Sequence, residues 1–251
     1  MRTRPIKLIC LLALLASAAD AHGDEIRIAT ASNFRHAADE IAQAFEQASG
    51  QRATLVFGAT GKHYAQITHG APFDIFLAAD RHRPERLESE GNAVAGSRFT
   101  YAVGRLALWS PGGGITADAE ILREGNFRRL AIANPELAPY GLAAKQTLQE
   151  FGLWEPLSGK LVRGENVAQA FQFTYSGNAE LGLIALSQLQ FSGEKHRGNW
   201  WLVPASMHRP IDQQAVLIND KPAAREFLDF MRSPATLEII RSHGYGVPDD
   251  Q

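Results

Sequence analysis

Cysteine is nearly absent from this sequence of 251 residues, in which Cys10 is the single example. One thiol cannot form an intramolecular disulfide, so cross-links within the chain cannot stabilise the fold. Hydrophobic residues make up 45% of the chain. We therefore expect a globular protein whose stability comes from a sizeable hydrophobic core.

An excess of positive charge is also missing. The chain has 25 Lys and Arg residues against 27 Asp and Glu residues, which gives a formal net charge of −2. Proteins that bind nucleic acid usually carry a basic patch or clustered arginine and aromatic residues, and the sequence has neither. Nucleic acid is therefore not an expected partner.

The main apolar run lies at the N-terminus, at residues 8–19, and three basic residues precede it. It is too short to span a bilayer. Small residues follow it, which is the pattern of a secretory signal peptide. We predict that residues 1–21 are a signal peptide, cleaved after Ala21 or alternatively after Ala18, and that the mature protein is exported.

Along the rest of the chain, short apolar segments alternate with stretches of helical spacing, which predicts an α/β fold. A long apolar segment at 99–109 and another at 214–218 suit strands that cross between two lobes. We predict that residues 22–103 and 214–251 form the first lobe and residues 104–213 the second. A ligand cleft is expected between them.

The predicted helices differ in the charge at their beginnings. Four of them, which start after Ser32, Thr60, Tyr140 and Asn166, have no carboxylate in the first turn. The N-terminus of a helix carries partial positive charge and unpaired N–H groups, so it attracts anions. Two of these starts fall in each predicted lobe. They predict an anion site in the cleft, with ordinary helix caps as the alternative interpretation.

The other predicted helices carry acidic residues near their starts, namely Glu85, Asp118, Glu120, Glu226 and Glu238. A carboxylate at a helix N-terminus would repel an anionic ligand while it stabilises the helix itself. The contrast between the two groups of helices therefore favours the anion hypothesis.

Several segments resemble the periplasmic molybdate-binding proteins of ABC importers. They are Ala-Ser-Asn at 31–33, Phe-Gly-Ala-Thr-Gly at 57–61, Gly-Ala-Pro-Phe-Asp-Ile-Phe-Leu-Ala-Ala-Asp at 70–80, Pro-Glu-Leu-Ala-Pro-Tyr-Gly at 135–141, and Val167 before a helix. The resemblance runs from about residue 25 to residue 246. It implies a two-lobed periplasmic binding protein fold of type II with two crossover strands, and a monomer located in the periplasm. It also implies that the protein captures molybdate or tungstate and delivers it to the importer's permease.

The resemblance also implies the ligand donors, when it is carried over residue by residue. Ser32 and Thr60 are expected to donate through their hydroxyl groups, and Tyr140 and Val167 through their backbone N–H groups. The oxyanion is then held without any direct metal-ion ligand, catalytic residue or cofactor.

One donor of the family does not carry over. The family frequently has a tyrosine at the end of the strand at 181–185, and this sequence has Ala185 there. Among the residues that stand in for the missing hydroxyl we favour Tyr140, through its own hydroxyl group. Gly61 and Lys62 are further candidates for the site, and Lys62 would add a positive charge.

An enzyme and a different binding protein are the alternatives. The segment at 58–62 lacks the spacing of a nucleotide P-loop, Gly-x-Ser-x-Gly is absent, and Ser-x-x-Lys at 192–195 lies in a polar segment where a chance match is the better explanation. His63 and His69 are more simply solvated surface residues than a metal pair. A binding protein for another oxyanion or a small organic acid is the closest alternative.

Overall fold

The computed structural model describes residues 25–112, 114–190 and 198–248. The predicted signal peptide at 1–21 and the Ser-x-x-Lys match at 192–195 lie outside these ranges. Within them, no helix combines the length and the apolar character needed to cross a membrane.

The described residues form ten strands and nine α-helices. The strands are β1 (Glu25–Ala31), β2 (Arg52–Gly58), β3 (Ile75–Leu77), β4 (Phe99–Gly104), β5 (Leu106–Ser110), β6 (Leu130–Ala133), β7 (Leu161–Gly164), β8 (Leu181–Ala185), β9 (Asn199–Leu202) and β10 (Ile211–Leu217). The helices are α1 (Arg35–Ser49), α2 (Thr60–Thr68), α3 (His82–Ser89), α4 (Ala119–Glu124), α5 (Pro139–Glu150), α6 (Val167–Tyr175), α7 (Ser187–Gln190), α8 (Pro222–Met231) and α9 (Pro234–Ser242).

The strands form two five-stranded mixed sheets, so the predicted α/β fold is confirmed. The first sheet has the order β2-β1-β3-β10-β4 and the second the order β7-β6-β8-β5-β9. In the first, β1 is parallel to β2 and β3, and β10 is antiparallel to β3 and β4. The second repeats this plan, with β6 parallel to β7 and β8 and with β5 antiparallel to β8 and β9. We call the units built on the two sheets the first and the second lobe.

The chain passes between the lobes twice. The apolar segment predicted as one crossing strand is two strands, because β4 pairs with β10 in the first sheet and β5 pairs with β8 and β9 in the second. Arg105 lies between them. The chain returns between Leu202 and Ile211, so the returning strand starts three residues before the segment that the sequence indicated.

The apolar faces of the helices cover the sheets. In α1 the buried residues include Ala37, Ile41 and Phe45, which have the spacing of one helical face. Gly50 caps the helix after Ser49, and its φ of 71° is easily adopted only without a side chain. In the second lobe every residue of β5, β6 and β8 is buried, as expected for strands covered on both faces.

Parallel strands direct the helix beginnings to one edge of each sheet. A 3-10 turn at Ser32–Phe34 and α1 follow β1, α2 follows β2, α5 follows β6 and α6 follows β7. In open α/β sheets the carboxyl ends of parallel strands form the crevice where ligands bind. The two sheets turn these edges toward each other, and the space between them is the candidate site.

Candidate functional site

A small pocket lies between the two lobes. Its volume is about 10 Å³, and its lining consists of Ala31, Ser32, Asn33, Gly58, Ala59, Thr60, Ala79, Ala138, Pro139, Tyr140, Asn166 and Val167. Pockets for drug-sized molecules are larger, about 300–1,000 Å³. None of the lining residues has a charged side chain, so the pocket suits one small ligand held by neutral groups.

The four helix beginnings without acids meet in this pocket. Ser32 opens the 3-10 turn, Thr60 is the first residue of α2, Tyr140 is the second residue of α5, and Val167 is the first of α6. None of these elements has an acidic residue in its first turn. The first N–H groups of a helix have no partner within the helix. The pocket therefore receives backbone donors from both lobes.

Two buried hydroxyl groups add to the donors. Thr60 is 2% exposed, and its Oγ1 accepts a hydrogen bond of 3.2 Å from the N–H of Ala79, which leaves the hydroxyl proton available for a ligand. Ser32 is 8% exposed and lies at the start of its turn instead of in the capping position, which Ala31 occupies. The alternative interpretation of Ser32 as a helix cap is therefore not supported, and its hydroxyl remains available to the pocket.

The contrast in helix charge is weaker than the sequence indicated. α3 and α4 do carry acids in their first turns, Glu85 and Glu120, and Asp118 caps α4. However, Glu226 and Glu238 are the fifth residues of α8 and α9, and those first turns hold no acid. The interpretation was wrong for these two helices, because the fifth residue of a helix lies beyond its first turn. The convergence of four helix starts carries more weight than the charge contrast.

Gly61 and Lys62 belong to the rim of the pocket. The Gly61 N–H donates to the carbonyl oxygen of Leu137 in the second lobe, at 2.8 Å, so it is unavailable to a ligand. The Lys62 ammonium group lies 3.2 Å from the Glu165 carboxylate, and its side chain is 52% exposed. Neither residue lines the pocket. Both contacts join the two lobes instead.

The Tyr140 hydroxyl lies beside Gly104 and not at the ligand, contrary to the donor role that the sequence suggested for it. A Cβ atom on Gly104, which is outside the pocket lining, would lie 2.3 Å from this hydroxyl. The hydroxyl is buried and makes no hydrogen bond of good geometry. Burial, followed by the neighbouring Tyr245 and Tyr101, raises the pKa of Tyr140 well above its usual value, and the nearby N–H of Arg105 offsets this only in part. The structure gives no support to this hydroxyl as a ligand donor.

Ala185 is fully buried and does not line the pocket. Its N–H donates to Gln188 Oε1 at 3.1 Å, and Gln188 Nε2 donates to the Val167 carbonyl oxygen at 3.4 Å. The end of β8 is therefore connected to the beginning of α6 through Gln188. Ala185 has no hydroxyl of its own, so it cannot replace the family's tyrosine as a ligand donor.

Asn33 lines the pocket but was not among the donors predicted from the sequence. Its side-chain amide donates to Gln213 Oε1 at 2.7 Å and to Tyr245 Oη at 3.1 Å. Its carbonyl oxygen accepts from Tyr245 Oη at 2.7 Å and from Ser187 Oγ at 3.2 Å. These four bonds fix the turn that presents the Ser32 and Asn33 N–H groups. The only sequence signal is the position of Asn33 directly after Ser32.

His63 is buried, contrary to the prediction of a solvated residue. It is 2% exposed and lies under the turn before α2, with Nε2 3.2 Å from the Thr30 carbonyl oxygen and Nδ1 3.1 Å from Gln66 Oε1. A Cβ atom on Gly58 would lie 2.9 Å from Nε2. Burial lowers the pKa of His63, and hydrogen bonds to Gln66 and Thr30 offset part of that effect. Its ring therefore supports the floor of the pocket in the neutral form.

His63 should make the protein less stable in mild acid. Since its folded pKa lies below the ordinary 6.5, the unfolded chain binds the proton more readily, and stability falls as the pH drops through 6.5. Each pH unit between the two pKa values corresponds to about 1.4 kcal/mol. Urea unfolding at about pH 7.5 and about pH 5.5 should show a smaller loss in His63→Gln than in wild type. His69→Gln, an exposed residue just after the same helix, is the control and should behave like wild type. An equal loss in all three proteins would exclude His63 as the cause.

A larger surface cavity, of about 650 Å³, lies elsewhere on the second lobe and is lined by Arg128, Arg129 and Lys160 among others. It is a weaker candidate for an anion site because its cations already have partners. Arg128 pairs with Glu180 at 2.6 Å. Arg129 and Lys160 donate to backbone carbonyl oxygens at 2.8 and 2.6 Å.

A cation site is not found either. Among the described residues, no group of three or more His, Cys, Asp and Glu side chains is placed to hold a metal ion. The chemistry available in the pocket is hydrogen-bond donation from N–H and O–H groups. A small anion is the ligand class that this arrangement can hold.

Comparisons with known proteins agree with this geometry. Residues 26–246 match the family described as bacterial extracellular solute-binding protein. The molybdate-binding protein ModA of Azotobacter vinelandii is 48% identical over 238 residues, which cover 93% of this chain and 94% of that protein. ModA of Rhodobacter capsulatus is 42% identical over 238 residues, with 94% and 93% covered.

Solved structures show the same relationship. The periplasmic molybdate-binding protein of Azotobacter vinelandii superimposes with a TM-score of 0.85 at 38% identity, over 89% of this chain and 100% of that chain. The sulfate-binding protein SubI of Mycobacterium tuberculosis has a TM-score of 0.72 at 13% identity, over 90% and 88%. That second likeness shows the fold alone.

Proposed function

Because the chain belongs to the bacterial extracellular solute-binding protein family, we propose that it captures molybdate between its lobes and delivers it to the permease of an ABC importer. The family consists of solute-binding proteins, so the prediction of a protein without enzymatic activity is confirmed. Tungstate is the second proposed ligand, because it matches molybdate in charge, tetrahedral shape and size.

The observation that supports this proposal most directly is the meeting of four helix beginnings in one small, uncharged pocket. Molybdate is a fully deprotonated dianion at neutral pH, so its site needs donors and no acceptor. Preorganised N–H and O–H dipoles in a closed cleft can hold such an ion without a cationic side chain. The proposed donors are the hydroxyls of Ser32 and Thr60 and the backbone N–H groups of Tyr140 and Val167. Asn33 joins them through its backbone N–H.

Thermal unfolding tests the proposal. A ligand that binds only the folded protein stabilises it by about 2.7 kcal/mol at a hundredfold excess over Kd. Molybdate and tungstate should therefore raise the Tm by several degrees. Sulfate has the same charge and shape but is smaller, so it should give little change if pocket size sets the selectivity. Equal shifts with sulfate would remove the claim of selectivity, and no shift with any oxyanion would refute the proposal. A response to organic acids alone would favour the alternative binding protein.

The setting follows from the same family. We propose that residues 1–21 are removed during export and that the mature protein works in the periplasm as a monomer. Fractionation of the cells that express the full chain, followed by mass spectrometry of the soluble periplasmic form, would give the cleavage site. A mature form that begins at residue 22 is expected.

A further inference from the structure

In addition to the bond from Ser187 to the Asn33 carbonyl oxygen, three contacts join the lobes at the rim of the pocket, and none of these three involves a pocket-lining residue. The Gly61 N–H donates to the Leu137 carbonyl oxygen at 2.8 Å. Arg83 Nη2 donates to the Glu136 carbonyl oxygen at 2.8 Å. The Lys62 ammonium pairs with Glu165 in the second lobe. We call these three the closure contacts, because they exist only while the lobes are together.

Arg83 is prepared for its contact by its own lobe. The Asp80 carboxylate accepts from the Arg83 backbone N–H at 2.9 Å through Oδ1 and from Nη1 at 2.5 Å through Oδ2. Both side chains are 20% exposed. The guanidinium group is therefore held at one end, and its Nη2 is directed at the second lobe. A side chain fixed in this way loses little further entropy when the contact forms.

The receiving loop in the second lobe is equally rigid. Asn134 accepts from the N–H groups of Leu137 and Ala138 through its carbonyl oxygen, and from the Glu136 N–H through Oδ1 at 3.0 Å. These bonds use the N–H groups of the loop, and the Glu136 and Leu137 carbonyl oxygens accept from the first lobe. The same loop continues into α5, where the Tyr140 N–H enters the pocket. Closure and the placement of a pocket donor thus depend on one short segment.

The closure contacts differ in expected strength. The Lys62–Glu165 pair is 52% and 36% exposed, and ion pairs of this kind contribute little and are screened by salt. A hydrogen bond with a charged donor that is held in fixed geometry is stronger, and the Arg83 side chain is only 20% exposed. Arg83 therefore makes the strongest of the three closure contacts.

We propose that Arg83 is a positioning residue that sets how long the bound oxyanion is retained, although it does not touch the ligand. This inference rests on the proposed function. A ligand enclosed between two lobes leaves after they open, so contacts present only in the closed state slow its dissociation. Association takes place on the open form, in which the Arg83 contact is absent. The signature of this role is a change in the dissociation rate with little change in the association rate.

Stopped-flow measurements with molybdate test the rates. Arg83→Ala should increase the dissociation rate about tenfold and leave the association rate within about twofold of wild type. Arg86→Ala is the matched control: it lies on the same helix and pairs with Glu90 of its own lobe. Gly61→Ala is the second variant, because its Cβ would lie 3.0 Å from both Arg83 Nη2 and the Leu137 carbonyl oxygen. It should also speed dissociation without unfolding either lobe. Equal dissociation rates in Arg83→Ala and Arg86→Ala would overturn the proposal.

The closed population is measured separately, without ligand. Cys10 lies in the predicted signal peptide, so spin labels at Gln47→Cys and Gln149→Cys, both exposed and in different lobes, would be the only ones in the mature chain. Arg83→Ala should lower the closed fraction relative to Arg86→Ala. If the wild type binds no oxyanion, the proposed function fails, and this distance measurement still decides the role of Arg83. Equal closed fractions would refute it.

Discussion

Thr60→Val is expected to weaken molybdate binding at least tenfold, whereas Thr60→Ser keeps most of the affinity. Valine preserves the shape and removes only the hydroxyl, whose proton is free for the ligand because Oγ1 accepts from the Ala79 N–H. A hydrogen bond to a charged group contributes roughly 1.5–3 kcal/mol, and about 1.4 kcal/mol corresponds to a factor of ten. Ser32→Ala should cost a similar factor, so the double variant should lose about a hundredfold or more.

Calorimetry gives these affinities, and a control comes from the same helix. Thr68 is outside the pocket lining and its hydroxyl donates to the Ala65 carbonyl oxygen, so Thr68→Val should bind like wild type. Thr60→Val also leaves the Ala79 N–H without its acceptor, so the Tm of the ligand-free protein should be recorded beside the affinity. If Thr60→Val and Ser32→Ala both bind with wild-type affinity, these hydroxyls have only a structural role.

Gly104→Ala should damage both stability and binding. The new methyl group would lie 2.3 Å from Tyr140 Oη and 3.0 Å from Ile211 Cγ2. Extra atoms in a filled core typically cost about 1–3 kcal/mol. Tyr140 cannot shift easily because it is 1% exposed and is the second residue of α5. A shift of its ring would move the N–H that it presents to the pocket, so weaker molybdate binding should accompany the lower Tm.

Tyr140→Phe separates a steric effect of Gly104→Ala on Tyr140 from a direct role of the Tyr140 hydroxyl in ligand binding. Alone, it should leave molybdate affinity within about twofold of wild type and keep or raise the Tm, because it removes a buried hydroxyl that lacks a full hydrogen bond. Combined with Gly104→Ala, it should restore part of the lost stability, since the closest clash is with the hydroxyl. A large loss of affinity in Tyr140→Phe alone would return the hydroxyl to the ligand site. Val103→Ala, on the neighbouring position of β4, controls for general weakening of the strand.

Much of the fold was readable from local patterns. The apolar spacing of α1 and the strand at Leu181–Ala185 depend on neighbours a few residues apart, and the structure has both. The segment at 99–109 was misread as a single strand because both halves are apolar. Which sheet each half joins depends on pairing with β10 on one side and with β8 and β9 on the other, and that information is distant in sequence.

The pocket was only partly predictable for the same reason. Ser32, Thr60, Tyr140 and Val167 each start a turn or helix after a strand, and the topology alone brings them together. Whether a particular N–H remains free depends on the other lobe, which is why Gly61 looked like an anion donor before its bond to Leu137 was seen. Asn33 is held by Gln213, 180 positions away, and by Tyr245, 212 positions away. No local sequence pattern reveals these two partners.

The separation of 212 positions in sequence between Asn33 and Tyr245 has a consequence for how the protein folds. β10 lies between β3 and β4, and Tyr245 holds the first pocket turn from near the end of the chain. The second lobe is continuous in sequence and can form early. The first lobe is completed by β10 from the C-terminal part, so a very long loop must close before it forms, and closing such a loop is slow. A chain that stops before Ile211 would contain all four helix beginnings and still lack the strand and the tyrosine that fix Asn33. Binding competence should therefore appear only at the last step of folding, after the C-terminal segment has docked.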